Sequence, residues 1–496
     1  MREQDERELL KDLAERCGIA PDYYDIWGHR HEVSAQTKRA ILTAMGLQVT
    51  TLDDLRRELL VCEEGPWVCP CEPVLVRRVD ERAATWSFRL PIDEAEVRDL
   101  RIGWEVRDET GRLQQKGEHG PGLVPAEGRR VGGRHYVRLE LPIPSGLPMG
   151  YYDLEACSRT SSGTTEGTLR LILVPSQCYV PPYLQAGGRA WGLALQLYAL
   201  RSRHNWGVGD FRDLAGFVDW AAGDMGVGVI GLNPLHALKN ERPYHISPYS
   251  PDSRLFLNVL YLAVEDIPEL NESAPAQRRL EDSGFRATID ALRQTDLVEY
   301  DRIYAAKREV LALLFATFQE RHLEDFDGAL RPKTDRGRAF ERYVRKEGAL
   351  LDDFALFQAL SEELRTASLG ASGWQDWPEP YRDPTSAAVE SFRAAHVTQI
   401  RFHQYLQWLA DEQLGGVAAQ TRALGMPIGL YHDLALGSDR SGSDAWMFQD
   451  VLALGADSGC PPDAFAPEGQ NWGLPPFNPR RLRASGYRML TALLRK

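Results

Sequence analysis

The sequence lacks long apolar runs and an excess of basic residues. Its 496 residues contain no stretch of about 18 apolar residues, the length that a membrane-spanning helix needs. The first ten residues, MREQDERELL, are largely charged and lack the apolar segment of a secretory signal. Lys and Arg number 58 and Asp and Glu number 71, which leaves a net charge of −13. We therefore expect no nucleic-acid partner and no membrane surface as a partner.

Cysteine is scarce, and the usual short catalytic motifs are missing. Seven Cys residues are an odd number spread over a long chain, which favours a reducing cytoplasm over a disulfide framework. Cys69 and Cys71 are one residue closer than a C-x-x-C pair, so we favour thiols in a Pro-rich linker over a metal or redox site. The sequence contains no G-x-x-x-x-G-K-[ST], H-E-x-x-H or G-x-S-x-G. The glycines of 226–231 spell G-x-G-x-x-G but lie within a predicted strand, which argues against a dinucleotide site.

The first 180 residues show two hydrophobic periods. Residues 1–65 have helical spacing, and we predict an N-terminal helical segment that ends in a linker beginning at Gly65-Pro66. Residues 66–180 contain short β-rich runs, in one of which Val137, Leu139 and Leu141 alternate with charged residues. Such runs predict a small β-sandwich, with Gly128–Arg134 as a mobile turn. Its aromatic residues fit either a buried core or a ligand-binding face, and we favour the core.

From residue 181 to 496 the pattern changes to strand–loop–helix–strand. Apolar runs at 191–197, 227–232 and 427–431 read as buried strands, with a helix at 211–222 after the first. This order is typical of a parallel sheet or barrel. A mainly helical segment at 262–400 is too long for a connection, so we predict an inserted helical subdomain.

The loops after the three strands combine aromatic, carboxylate, amide and hydroxyl side chains. Because loops at the carboxyl ends of parallel strands build the site of a barrel, these side chains are candidates for binding sugar. Any one of them is more often an ordinary loop residue, but a fourth loop at 459–478 repeats the composition and has the Pro and Gly content of a lid. The four candidate sets are Arg201, His204, Asn205, Trp206 and Asp210; Asn233, His236, Tyr244, His245, Ser247, Tyr249 and Ser250; Tyr431, His432, Asp433, Asp439, Arg440 and Asp444; and Asp463, Phe465, Gln470, Asn471 and Trp472.

Six segments in order resemble the 4-alpha-glucanotransferases, the amylomaltases or disproportionating enzymes of the alpha-amylase-like glycoside hydrolases. The match runs from about residue 185 to 495, and the N-terminal region is similar to the extension of the longer bacterial members. The six segments are WGLALQLYALRSRHNWGVGDFRDL, GVGVIGLNPLHAL, SPYSPDSRLFLNVLYLAV, FHQYLQWLADEQL, GLYHDLALGSDRSGSDAW and GCPPDAFAPEGQNWGLPPFNP.

The resemblance implies a (β/α)8 barrel with helical insertions behind a β-sandwich. It implies the retaining transfer of α-1,4-glucan segments between maltooligosaccharides, with these glucans as partners, in the cytoplasm and with no cofactor. Carried over by motif, Ser247 and Tyr249 belong to the SPY segment that lines sugar subsites, and Asp433 follows the third strand. The implied substrate contacts in the fourth loop are Asp463, Gln470, Asn471 and Trp472.

The sequence departs from the family pattern in its carboxylates. A retaining mechanism needs two carboxyl groups about 5–5.5 Å apart. The family's R-I-D-H, E-D-L-G and H-D-N-D segments, which carry its nucleophile, its acid/base and a third carboxylate, do not occur here. We therefore expect an α/β fold with the first three β/α units of a TIM barrel, no catalytic residue, and a truncated enzyme that is inactive alone. The open alternatives are a non-catalytic α-glucan-binding protein and a damaged gene product.

Overall fold

The computed structural model describes residues 2–81, 83–92, 94–160, 163–240, 246–324, 330–367 and 373–496. They form two compact units. The first unit contains the chain up to Tyr179, with Asp450–Trp472 and Pro476–Arg495, and the second contains Val180–Gln449, Gly473–Pro475 and Lys496. The predicted limits at 65 and 180 and the predicted insertion at 262–400 stay predictions. Among the described residues, no helix is both long enough and apolar enough to cross a bilayer.

The first unit begins with helices and a short hairpin, and strands follow. In chain order its elements up to residue 179 are α1 (Arg2–Arg16), β1 (Asp22–Tyr24), β2 (Arg30–Glu32), α2 (Ala35–Ala44), α3 (Leu52–Val68), β3 (Val74–Arg78), β4 (Thr85–Pro91), β5 (Ile102–Asp108), β6 (Leu113–His119), β7 (Glu127–Val131), β8 (Arg134–Pro142), β9 (Gly150–Thr160) and β10 (Gly163–Val174).

Side-chain caps set the starts of the N-terminal helices. The Ser34 hydroxyl accepts from the Thr37 amide and caps the start of α2. At the start of α3, Thr51 and Asp54 form a reciprocal capping box. The predicted linker at Gly65-Pro66 is wrong, because α3 continues through Pro66 to Val68.

The strands β3 to β10 form two sheets that enclose one apolar core. The larger sheet has the order β3-β10-β9-β5-β6, with β3 parallel to β10, and the smaller has the order β4-β8-β7. Val137, Leu139 and Leu141 of β8 are buried, which confirms the alternation read from the sequence. Trp86 and Tyr152 also lie in this core. The predicted mobile turn at 128–134 is wrong, because β7 pairs with β8 through most of it.

The second unit contains a parallel sheet, a short antiparallel pair of strands and most of the helices. In chain order its elements are α4 (Pro182–Gln185), β11 (Gly192–Leu195), α5 (Phe211–Gly223), β12 (Val229–Leu232), β13 (His236–Ala237), β14 (Ser253–Leu257), α6 (Ala274–Glu281), α7 (Ser283–Arg293), α8 (Tyr300–His322), α9 (Asp335–Glu347), α10 (Ala349–Ala367), α11 (Glu379–Arg382), α12 (Ala387–Ala395), α13 (Val397–Ala423), β15 (Gly429–His432) and α14 (Ser443–Met447).

A parallel sheet of order β11-β12-β15 lies at the centre of this unit. Ile230 and Leu232 of β12 are buried, and α13 contacts both α5 and β15. Ala194, Gly231 and Tyr431 share one row across the sheet, so the side chains of Ala194 and Tyr431 lie on the opposite face from that of Ile230. The predicted parallel strand–helix–strand order is therefore present.

The last elements of the chain belong to the first unit. They are β16 (Gly459–Cys460), β17 (Gln470–Asn471), α15 (Pro479–Ala484) and α16 (Arg488–Arg495). Within the unit, the Asn478 side chain caps α15 through the Arg481 amide and donates to the Met45 carbonyl oxygen at 2.9 Å. This bond connects the last helices to the N-terminal ones.

Candidate functional site

The carboxyl ends of β11, β12 and β15 meet at one edge of the parallel sheet, and three loops leave it there. The loops after β11 and β12 are joined by Asn233. Its Oδ1 accepts from the Leu197 amide at 2.9 Å, and its Nδ2 donates to the Pro234 carbonyl oxygen. Asn233 is buried, so this amide side chain satisfies backbone groups that water cannot reach.

The loops after β12 and β15 are joined by His236. The Ala435 amide donates to His236 Nε2 at 3.2 Å. Burial, with added repulsion from Arg254 and His432, lowers the pKa of His236 to about 4. The imidazole is therefore neutral at pH 7 and can accept this bond, which fixes where the chain goes after Asp433.

A buried carboxylate, Asp444, anchors the far end of the loop after β15. It accepts from the Ser253 hydroxyl at 2.6 Å, the Arg254 amide at 2.8 Å and the Ser438 hydroxyl at 2.5 Å. The Arg254 guanidinium donates to the carbonyl oxygens of Ala435 and Leu436 in the same loop. The hydrogen bonds of Arg254 and Asp444 therefore connect β14 to the loop that carries Asp433.

Asp252 lies beside this network, and its pKa is raised. Its Oδ2 accepts from Gln358 at 2.7 Å and from the Ser443 hydroxyl at 3.0 Å. Burial, with Asp444 and Asp439 nearby, raises the pKa of Asp252 to about 7 against these two hydrogen bonds. This carboxyl group therefore exchanges its proton near neutral pH.

Two of the predicted site residues, Tyr249 and Asp433, lie near each other. Ser247, Pro248, Tyr249 and Ser250 form a turn, in which the Ser250 amide donates to the Ser247 carbonyl oxygen at 3.2 Å. The Tyr249 side chain is 55% exposed, and its hydroxyl lies near the Asp433 carboxylate. Partial desolvation, Asp433 and the nearby Tyr198 raise the pKa of Tyr249, so the phenol stays protonated.

This arrangement offers the chemistry that a sugar ring needs. Tyr249 presents an exposed aromatic ring, and Asp433 presents a half-buried carboxylate beside its hydroxyl. An aromatic ring can lie against the apolar face of a pyranose, while a carboxylate accepts from its hydroxyl groups. Among the described residues, no group of three or more His, Cys, Asp or Glu side chains could hold a metal ion.

The polar residues predicted in the loop after β11 instead brace the fold. Asn205 and Trp206 are buried, and they donate to the carboxylates of Asp213 and Glu265 at 2.7 Å each. Asp210 caps α5 by accepting from the Arg212 and Asp213 amides. Burial raises the pKa of Asp210 to about 6. Their polar side chains are used internally, which is why composition alone misplaced them among the sugar contacts.

The fourth predicted loop lies in the first unit and is a β-hairpin. Its strands β16 and β17 pair through Gly459 with Asn471 and Cys460 with Gln470. Asp463 accepts from the Phe465 amide at 2.8 Å and the Ala466 amide at 2.7 Å, so one of its oxygens is used in the turn. At the other end, Trp472 Nε1 donates to Gln470 Oε1 at 3.0 Å.

The structure adds residues to the predicted site and leaves two predicted ones undescribed. Tyr198, Asp252 and Arg254 were not among the candidates, although the last two lie in the SPDSRLF segment that carried the resemblance. Tyr244 and His245 lie outside the described residues. Ser247, Tyr249 and Asp433 belong to the second unit, and Asp463, Gln470, Asn471 and Trp472 belong to the first.

Comparisons with known proteins agree with this architecture. The 4-alpha-glucanotransferase family profile matches residues 195–496, and the profile of the MalQ N-terminal beta sandwich domain matches residues 70–175. The 4-alpha-glucanotransferase of Mycobacterium tuberculosis is 34% identical over 493 residues, covering 98% of this chain and 63% of its own length. That of Haemophilus influenzae is 36% identical over 484 residues, covering 96% of this chain and 62% of its own length.

A solved structure gives the same result. The amylomaltase from Corynebacterium glutamicum superposes with a TM-score of 0.79 at 28% identity, over 99% of this chain and 63% of that chain. The chain therefore spans somewhat under two thirds of the length of the relatives it matches. The matches agree with the predicted β-sandwich and α/β architecture, and by them this chain belongs to the 4-alpha-glucanotransferase family.

Proposed function

We propose that the second unit binds α-1,4-glucan through the loops after β12 and β15, and that this binding serves the transfer of glucan segments between maltooligosaccharides. The observation that carries the proposal is the position of the exposed Tyr249 hydroxyl near the Asp433 carboxylate. It brings the SPY turn next to the end of a parallel strand, where barrel enzymes build their sites.

The rigidity of these loops supports the proposal. His236 and Asp444 hold the chain that follows Asp433, through hydrogen bonds from the Ala435 amide and the Ser438 hydroxyl. A side chain held by such bonds loses little freedom when a ligand binds, so more of its contact energy appears as affinity. The ring of Tyr249 and the carboxylate of Asp433 then face a sugar at a fixed distance and orientation.

The proposed sugar contacts form two groups. Ser247, Tyr249 and Asp433 lie in the second unit, and Asp463, Gln470, Asn471 and Trp472 lie in the hairpin of the first. Ring, carboxylate and amide side chains at these positions match the hydrogen-bonding and stacking that a glucan chain offers.

We further propose that these 496 residues do not transfer glucan by themselves. The R-I-D-H, E-D-L-G and H-D-N-D segments of the family do not occur in the sequence, and a retaining transfer needs a nucleophile and an acid/base. In this proposal β11, β12 and β15 are the first three strands of a (β/α)8 barrel. That the chain is a truncated form, and that it is cytoplasmic, stay predictions.

Affinity electrophoresis through a gel containing glycogen tests the binding. We expect the chain to be retarded, and Tyr249→Phe to weaken the retardation constant by up to about tenfold, since it removes a hydroxyl that can bond a sugar and such a hydrogen bond contributes about 0.5–1.5 kcal/mol. Tyr183→Phe is the matched control, because the Tyr183 hydroxyl donates to the Arg189 backbone carbonyl elsewhere in the unit. Equal retardation of both variants would contradict the proposed site.

Incubation with maltotriose tests the lack of transfer. We expect neither glucose nor longer maltooligosaccharides by thin-layer chromatography after prolonged incubation. Appearance of both would show that other carboxylates of this chain carry the reaction. Binding without transfer under every condition is also the behaviour of the alternative, a non-catalytic α-glucan-binding protein. Recovery of transfer when the missing family segments are supplied would separate the two.

A further inference from the structure

The hairpin β1–β2 of the first unit exposes an unusual density of aromatic and apolar side chains. Tyr24 is 65% exposed, Ile26 60% and Trp27 53%, and Tyr23 is also exposed. All four lie within five consecutive residues. We propose that this hairpin is an accessory binding site for an α-glucan chain, distinct from the loops around Tyr249. The choice of ligand rests on the proposed function, because glucan is the ligand class proposed for this chain.

A buried carboxylate holds the tip of the hairpin in one conformation. Asp25 accepts from the Trp27 and His29 amides at 2.9 and 2.8 Å, and its other oxygen contacts the rings of His29 and His31 at 3.2 and 3.0 Å. These hydrogen bonds lower the pKa of Asp25 to about 2, so it is ionised at any working pH. Gly28 completes the turn with a φ of +83°, which side chains rarely allow. Ile26 and Trp27 are therefore presented on a fixed turn.

Each face of the hairpin pairs an aromatic ring with hydrogen-bonding groups. On one face Tyr23 stacks on His31, with ring centroids 5.1 Å apart and planes 18° apart. Tyr24 pairs with Arg30 in the register, so it lies on the other face, where Arg30 Nε donates to Asp22 at 3.0 Å. A ring next to a guanidinium–carboxylate pair can stack on a pyranose and bond its hydroxyl groups.

The size and charge of the hairpin favour a glucan over a protein or an anion. Its strands have three residues each, so the face is about 10 Å long, and its area is far below the roughly 800 Å² that each partner buries in a stable protein interface. The charged side chains are mixed, with Asp22, Asp25 and Glu32 against Arg30. A short stretch of neutral polymer fits this combination better than a phosphate or a protein partner does.

The test compares Tyr24→Ala/Trp27→Ala with Tyr179→Ala/Trp220→Ala, which removes one exposed Tyr and one exposed Trp elsewhere. Glycogen affinity is measured by affinity electrophoresis and maltotriose affinity by calorimetry. We expect the hairpin variant to bind glycogen about three- to tenfold more weakly, in line with the contribution of exposed aromatic contacts. Its maltotriose affinity, and both affinities of the control, should equal those of the wild type.

Each outcome separates this proposal from the proposed function. Unchanged glycogen affinity in the hairpin variant, with a wild type that is retarded through Tyr249, overturns the accessory site alone. A wild type that glycogen does not retard overturns both. Loss of a concentration-dependent dimer in the variant, seen by sedimentation, would show that a second copy covers the hairpin and also overturns the proposal.

Hydrogen exchange on the wild type provides a measurement that does not depend on a variant folding. Maltoheptaose is added to the intact chain, and the amides of residues 22–32 are followed by mass spectrometry. We expect slower exchange in this segment on binding. No protection there, with protection around residues 247–250, would overturn the accessory site.

Discussion

Two regions with the same composition are built in different ways. The loops after β12 and β15 are held by buried polar side chains such as Asp444, Arg254 and His236. The hairpin β16–β17 is held by backbone pairing and short-range turns, and its Phe465 is 98% exposed. Aromatic and polar residues occur together in both sequences. The difference teaches that composition indicates a sugar-like surface without showing which polar residues face the ligand and which brace the loop.

Removing the buried carboxylate of Asp444 should have the largest effect on stability. Asp444→Ala leaves two buried hydroxyl groups and the Arg254 amide without an acceptor, so we expect the free energy of unfolding to fall by about 3–5 kcal/mol. The matched change in the hairpin, Asp463→Ala, removes two exposed turn bonds and should cost about 1 kcal/mol or less. Urea denaturation followed by tryptophan fluorescence measures both. Equal losses would mean that the two regions are braced alike.

Removing an amide side chain should also destabilise the chain more in the loops after the parallel strands than in the hairpin, but by a smaller amount. Asn233→Ala leaves the buried Leu197 amide without an acceptor, which we expect to cost about 1–3 kcal/mol. Asn471 donates to Asp457 at the surface, so Asn471→Ala should cost about 0.5 kcal/mol or less. Thermal unfolding by circular dichroism gives the ranking. A larger loss for Asn471 would reverse the comparison.

The buried network should also carry a pH dependence. The pKa of Asp252 is raised to about 7 in the folded chain from its ordinary value of 3.8. The folded state holds this proton more tightly, so its contribution to stability is lost as pH rises from about 4 to about 7. Asp252→Asn keeps an oxygen for Gln358 and Ser443 and cannot ionise.

We therefore expect Asp252→Asn to gain stability over the wild type by about 1 kcal/mol or more between pH 4 and pH 8. Denaturation curves at each pH, with Asp463→Asn as the control, measure the difference. A constant difference across this range would show that the carboxyl group of Asp252 ionises normally.

The smallest effect on stability is expected at the tip of the hairpin. Phe465→Ala should change the free energy of unfolding by less than about 0.5 kcal/mol, because the ring is almost fully exposed. If the tip contacts glucan, the same variant weakens binding to glycogen in affinity electrophoresis. Unchanged binding together with unchanged stability would remove Phe465 from the proposed surface.

Local patterns predicted much of the fold. The alternation of Val137, Leu139 and Leu141 marked a strand with one buried face, and the helical spacing of the first residues marked the N-terminal helices. The predictions failed where tertiary pairing overrides local propensity. The Gly- and Arg-rich segment that forms β7 is a strand because β8 lies beside it, and α3 continues through Pro66 although proline favours a break there.

The candidate site was predictable in part. The proximity of Tyr249 to Asp433 brings together two positions that motif resemblance had singled out separately, 184 residues apart in the chain. By contrast, Asn205, Trp206 and Asp210 resembled sugar contacts by type and are used inside the fold. Asp252 and Arg254 were missed because a charged residue at the start of a short strand gives no local signal that it will be buried.

The sequence by itself determined the strand and helix periods, the family and the types of side chain at the ends of the parallel strands. These depend on neighbouring residues or on motifs, so they can be read along the chain. Only the tertiary structure decided which of those polar side chains are exposed and which are buried. That choice depends on desolvation and on hydrogen-bond partners from distant segments, such as Ser253 for Asp444, and no local pattern contains either.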